Sequence, residues 1–92
     1  MKYFAALSPM KDEQKSAEYR AEHLEFLKAQ AQAGRVLMNG RFTDGAGGLV
    51  IYQADSLEEV QGIVKEDPYV VNGARDVEIH EWDMQTTYTF EK

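Results

Sequence analysis

The chain has 92 residues, room for one small domain with a thin core, so a partner subunit is a natural source of further burial. With 43% hydrophobic and 28% charged residues it is globular rather than disordered, and a net charge of −6 argues against the basic surface that nucleic acid requires. Without cysteine there are no disulfides or thiolate chemistry, and no apolar run reaches membrane-spanning length or forms a signal-peptide core, so a soluble, cytoplasmic protein is expected.

The first apolar run, KYFAAL from Lys2 to Leu7, reads as a strand stopped by Ser8-Pro9. From about Glu13 to Ala33 there is neither glycine nor proline, and Gly34 follows, which predicts one long helix with a glycine at its end. Val36–Thr43 and Gly47–Ala54 flank Asp44-Gly45-Ala46, a hairpin signal. Ser56 with Glu59 three residues on forms a capping box that opens a second helix, running to about Glu66. Asp67-Pro68 stops it, since proline disfavours the α conformation in the residue before it and donates no backbone hydrogen bond. Arg75–Gln85 reads as the last strand, followed by the tail TTYTFEK.

The order is β-α-β-β-α-β, the split βαβ arrangement of ferredoxin-like α+β folds: one antiparallel sheet with both helices on one face, in a single domain over residues 1–92. Such a sheet should be polar on its open side, yet the strands are apolar on both. Tyr3, Ala5 and Leu7 alternate with Phe4 and Ala6, and Val77 and Ile79 with His80, Trp82 and Met84. Phe4, Val50, Tyr52, Trp82 and Met84 are read as the motive for covering the helix-free face, and a homodimer through that face is expected.

On the long helix, at about 100° per residue, Ala17, Leu24, Leu27 and Ala31 make the core stripe. Arg20 falls inside it, which calls for an acidic partner, Asp67 being the first choice; a snorkelling structural arginine is the alternative. His23 sits on the stripe's edge, one turn after Arg20, either as a hydrogen-bonded rim histidine or as a proton-transfer group.

Taken together, R-x-x-H-L on the first helix, Gly34 and Gly40 around the second strand, the Gly47-Gly48 pair, Asp-Pro-aromatic after the second helix and VEIHEW near the end resemble the YciI-related family of small ferredoxin-like proteins. The resemblance implies a dimeric α+β barrel and an active site centred on a histidine and an aspartate, by position His23 and Asp67. Tyr69 stands where the family more often has phenylalanine and adds a hydroxyl to the pocket, where with Arg20 it is assigned to substrate binding. An aspartate beside an imidazole fixes its tautomer and favours the imidazolium, which suits acid–base catalysis; a plain helix stop is the other reading of Asp67.

Other chemistry has little support. His23, His80 and Asp67 share no metal-ligand spacing, Gly45, Gly47 and Gly48 are not followed by the G-K-[ST] of a phosphate loop, and no cofactor is called for. Trp82, Met84 and Tyr52 fit a core better than a cofactor box. The expected function is a cofactor-free lyase, isomerase or hydrolase acting on a small aromatic or anionic molecule, with His23 as acid/base and Asp67 orienting it. The rival is a non-catalytic small-ligand-binding or accessory module using the same pocket, and a purely structural pair is the third possibility.

Overall fold

The computed structural model describes residues 1–89, so the last three residues of the expected tail lie outside the described residues. The elements run β1 (Lys2–Pro9), α1 (Glu13–Glu18), α2 (Arg20–Gln32), β2 (Val36–Arg41), β3 (Gly47–Ala54), α3 (Leu57–Val64), α4 (Pro68–Val71) and β4 (Glu78–Trp82). The four strands form one antiparallel sheet in the order β2-β3-β1-β4, the ferredoxin-like arrangement expected from the sequence. Phe4, Ala6, Val50, Tyr52 and Ala54 of the sheet close a core with Leu27 of α2 and Val60, Ile63 and Val64 of α3, which puts the main helices on the same face.

β1 and β3 pair over their whole length, from Lys2↔Ala54 to Pro9↔Gly47. Gly47 allows the last of these pairs: at φ 137° a Cβ there would run into the Ser8 carbonyl. Residues directly opposite in a ladder point to the same side. On the helix side the pairs read Phe4↔Tyr52, Ala6↔Val50 and Ser8↔Gly48 along the two strands. Side-chain size therefore falls from two aromatics to a hydroxymethyl group and a hydrogen over four residues. The large end is filled and dry; the small end leaves room.

This register corrects the expected faces. Phe4, Val50 and Tyr52 belong to the helix-covered core, and the helix-free face carries Tyr3, Ala5, Leu7, Leu49 and Ile51, with His80 and Trp82 of β4. Met84 lies beyond the end of β4. The reason is phase: strand periodicity separates two faces but does not say which one the helices cover.

The first helix is also corrected. It breaks at Tyr19 (φ −100°, ψ 9°) into α1 and α2, and its inward residues are Ser16, Tyr19, His23, Phe26, Leu27 and Gln30 rather than Ala17, Leu24, Leu27 and Ala31. Leu24 is 45% exposed and Arg20 is exposed. The spacing 16, 19, 23, 26/27, 30 is a helical stripe, but it includes Ser16 and His23, polar residues that face the hollow end of the sheet. A stripe chosen by apolarity alone lands one residue out of phase.

A candidate acid–base site with a cationic cavity

Asp67 comes three residues after α3 and caps the single-turn helix α4, which was not foreseen from the sequence. At φ −62°, ψ 124° it takes the extended backbone that the following proline favours, and Pro68 occupies the first helical position, where no N–H is needed. Its Oδ1 accepts the Tyr69 backbone N–H at 2.9 Å, the N-cap hydrogen bond. The same oxygen lies 2.7 Å from His23 Nδ1. Serine or asparagine would cap this turn equally well, so the cap alone does not demand a charge; the imidazole does. Both side chains are largely sheltered, at 12% exposure for His23 and 9% for Asp67.

The pairing expected between Arg20 and Asp67 does not form: Asp67 pairs with His23, and Arg20 makes no ion pair among the described residues. The buried arginine is Arg75, the first residue of the strand expected over Arg75–Gln85. β4 starts only at Glu78, and Arg75 instead makes an isolated bridge with Met10. Its Nε donates to Ser16 Oγ at 3.0 Å and its Nη1 to the Ser8 carbonyl at 3.4 Å. Nothing in the spacing of the sequence ties residue 75 to residue 23.

Tyr69 joins these groups. Its ring stacks on the His23 imidazole with centroids 3.9 Å apart and planes 12° from parallel, and the Arg75 guanidinium carbon is 4.6 Å from its centroid. Tyr52, in the core behind, has its hydroxyl pushed well above the ordinary tyrosine range, first by burial and then by the negative charge of Asp67. It stays protonated wherever the protein is folded near neutrality.

The emptied end of the sheet is a cavity of about 160 Å³ reached by His23, Tyr69, Arg75, Arg20 and Arg41, floored by Ser8, Gly48 and Val50. A bulge in β2 helps to build it. The register slips between Val36 and Met38, so that Asn39 and Arg41, opposite Val50 and Gly48, turn to the helix side. Without the slip Met38 and Gly40 would face the cavity instead. A second lobe of about 230 Å³, lined by Met10, Ala17 and Phe42, shares Arg20, Arg41, Tyr69 and Arg75 with the first.

His80 points to the helix-free face with Glu78 Oε1 3.2 Å from its Nε2, far from the cavity. Among the described residues no group of three His, Cys, Asp or Glu side chains could hold a metal ion, and no helix is long and apolar enough to cross a membrane.

With neutral His23, the Asp67 carboxylate holds the ring proton on Nδ1 and leaves Nε2 as the basic nitrogen. A small α+β protein with a ferredoxin-like sheet and a cavity-wall histidine backed by an aspartate is the class so defined. The chain belongs to the YCII-related family, whose domain matches residues 1–83. It is 36% identical to the uncharacterized protein YjpA of Bacillus subtilis (strain 168) over 83 residues, covering 90% of this chain and 98% of that one. It also superimposes with a TM-score of 0.77, at 20% identity, on 5-chloro-2-hydroxyhydroquinone dehydrochlorinase (TftG) from Burkholderia phenoliruptrix AC1100 in complex with 2,5-dihydroxybenzoquinone, covering 90% of this chain and 95% of that one. The likeness to that enzyme is one of fold.

Proposed function

We propose that the protein is an enzyme that moves a proton on a small molecule, with His23 as general acid/base and Asp67 as the residue that orients it. The observation that carries the reading is that His23, on the wall of a cavity open to small molecules, is held from behind by Asp67 at 2.7 Å. Nε2 takes a proton from a substrate atom in the cavity while Asp67 stabilises the imidazolium. The same nitrogen then gives the proton to the product, to a basic leaving group or, where the leaving group departs as a stable anion such as chloride, to water. Lyase, isomerase and hydrolase reactions all use this step. The dehydrochlorinase neighbour supports the first, because removing hydrogen chloride needs a proton acceptor, and its bound dihydroxybenzoquinone is a small oxygenated ring.

The test is a turnover screen on small ring compounds bearing hydroxyl or carboxylate groups, with wild type, His23→Gln and Asp67→Asn. For any compound converted, His23→Gln should lower the rate by about 10²-fold or more, the usual contribution of a positioned acid/base. Turnover unchanged in His23→Gln would overturn the reading. Tight binding without turnover of any compound would favour the non-catalytic ligand-binding module.

The homodimer belongs to the same proposal. Met38 and Trp82 are 47% and 44% exposed on the helix-free side, and Tyr3, Leu7 and Leu49 beside them are half-buried, which supports a second copy packed sheet to sheet. Sedimentation should give twice the chain mass at micromolar concentration; a monomer there would remove this part.

A further inference from the structure

We infer that Arg75 is the anion-binding residue of the cavity, and that the molecule taken there is a single ring carrying an ionised oxygen group, a carboxylate or a phenolate. The inference deepens the acid–base reading by naming the charge of its substrate, and it stands on a separate observation.

Arg75 is 9% exposed, and its guanidinium makes no ion pair among the described residues. All its partners are neutral: Ser16 Oγ for Nε, the Ser8 carbonyl and, at 3.5 Å, Ser8 Oγ for Nη1, and the ring of Tyr69. A buried guanidinium is costly unless an opposite charge meets it. Three anchors hold this one in place without neutralising it, and they leave Nη2 with neither hydrogen engaged. No fully enclosed side-chain nitrogen or oxygen of the described residues lacks a partner, so Nη2 is not fully enclosed, and Arg75 lines both lobes.

The surroundings have the same sign. Arg20 and Arg41 line both lobes; among the described residues the first lobe has no carboxylate on its wall, and the second has only Glu13. In a chain of net charge −6 this is a local reversal of sign. The first lobe, about 160 Å³, matches the ~150 Å³ that holds a benzene ring. Since Tyr69 touches both His23 and Arg75, an oxygen anion on Nη2 brings the attached ring to the imidazole side of the cavity.

The experiment uses benzoate and its neutral isostere benzamide as probes, titrated into the ¹⁵N-labelled full chain and followed by NMR. Wild type should bind benzoate about tenfold more tightly than benzamide or better, as a charge-assisted hydrogen bond implies, with the preference shrinking as salt is added. Benzoate should shift the Arg75 Nε–H resonance. Arg75→Gln should erase the preference and Arg75→Lys should keep part of it. His23→Gln should retain it, so loss of turnover there with benzoate preference intact separates failure of this inference from failure of the acid–base reading. If Arg75→Gln does not fold, Arg20→Gln and Arg41→Gln decide with the wild-type resonance: each should weaken benzoate only modestly. Equal affinity of wild type for the two probes, no binding of either, a preference that survives Arg75→Gln, or one abolished by Arg20→Gln or Arg41→Gln with the Arg75 resonance unmoved would each overturn it.

Discussion

The two ends of the helix-covered sheet face share their strands and differ in the size of the side chains they carry. At one end Phe4 lies opposite Tyr52, with Val60 and Val64 above, and all four are buried at 3% exposure or less. At the other Ser8 lies opposite Gly48, and the helices above bring polar groups: Ser16, His23 and, through the turn after α3, Asp67 and Tyr69. The cavity is thus made within the regular elements, by withholding side-chain volume at two paired strand positions. Apolar packing is gathered at one end and polar groups at the other, as expected where a rigid sheet positions groups that would not themselves pack a core.

The sharpest way to break this comparison is to truncate matched positions at each end. Phe4→Ala should cost about 3–5 kcal/mol, from lost transfer energy and the cavity left in a dry, filled site. That is a large part of the ~5–15 kcal/mol that holds a small domain together. Ser8→Ala, four residues along the same strand and the same face, should cost about 1 kcal/mol, because it removes one long hydrogen bond to Gly48 and one to Arg75 and exposes no new cavity. Urea unfolding of the two variants measures both. Equal losses would mean that the two ends are packed alike.

Filling the hollow end is the converse. A Cβ on Gly48 would sit 3.0 Å from the Gly40 carbonyl and 3.4 Å from Ser8 Oγ, so Gly48→Val should cost about 1–3 kcal/mol through overpacking and also occupy the cavity floor. Its main readout is binding: small-ring ligands that shift the His23 resonances in wild type should no longer do so. Ligand shifts that persist in a folded Gly48→Val protein would place the binding space elsewhere.

This division also explains what the sequence made legible. Element order, the hairpin at Asp44–Ala46, the Ser56 cap and the two-sided apolarity of the strands could all be read, because each is a local pattern of residue types. The two members of the polar pair could be named because a pre-proline aspartate and a helical histidine also fit a family pattern. What could not be read depends on register. Ser8 looked like a strand stop, Gly48 like half of a glycine pair, and only the pairing of β1 with β3 shows that they are opposite. The β2 bulge, which turns Arg41 inward, leaves no signal in residue type. Arg20 and Arg75 were exchanged for the same reason: apolar periodicity finds the dry core, and the inward face of α1–α2 is polar where it covers the cavity.

A finer cut separates the two roles of Asp67. Asp67→Asn keeps the oxygen that caps α4 and deletes the charge facing His23, so the stability loss should be small, about 1 kcal/mol. The tautomer of neutral His23 should change more visibly. ¹⁵N shifts should report a dominant Nδ1–H form in wild type and a mixture in the variant, where the amide can also turn its NH₂ toward the ring. An unchanged tautomer would leave Asp67 a helix cap and nothing more.

The smallest effect lies at the boundary between the two ends. Tyr52 is buried in the dry core yet feels Asp67, and both burial and that charge raise its hydroxyl pKa, burial more. A group whose pKa is raised on folding contributes stability that is intact below its unfolded value, about 10 for tyrosine, and is lost as pH rises beyond it. Tyr52→Phe should therefore change stability by less than about 1 kcal/mol at neutral pH and flatten the fall in the urea midpoint above about pH 10. Asp67→Asn, which removes only the lesser cause, should flatten that limb less than Tyr52→Phe does. The ranking matters more than either slope. If Asp67→Asn flattened the limb as fully as Tyr52→Phe, the carboxylate and not burial would hold the proton on Tyr52, and the dry end would be electrostatically open to the site rather than walled off from it.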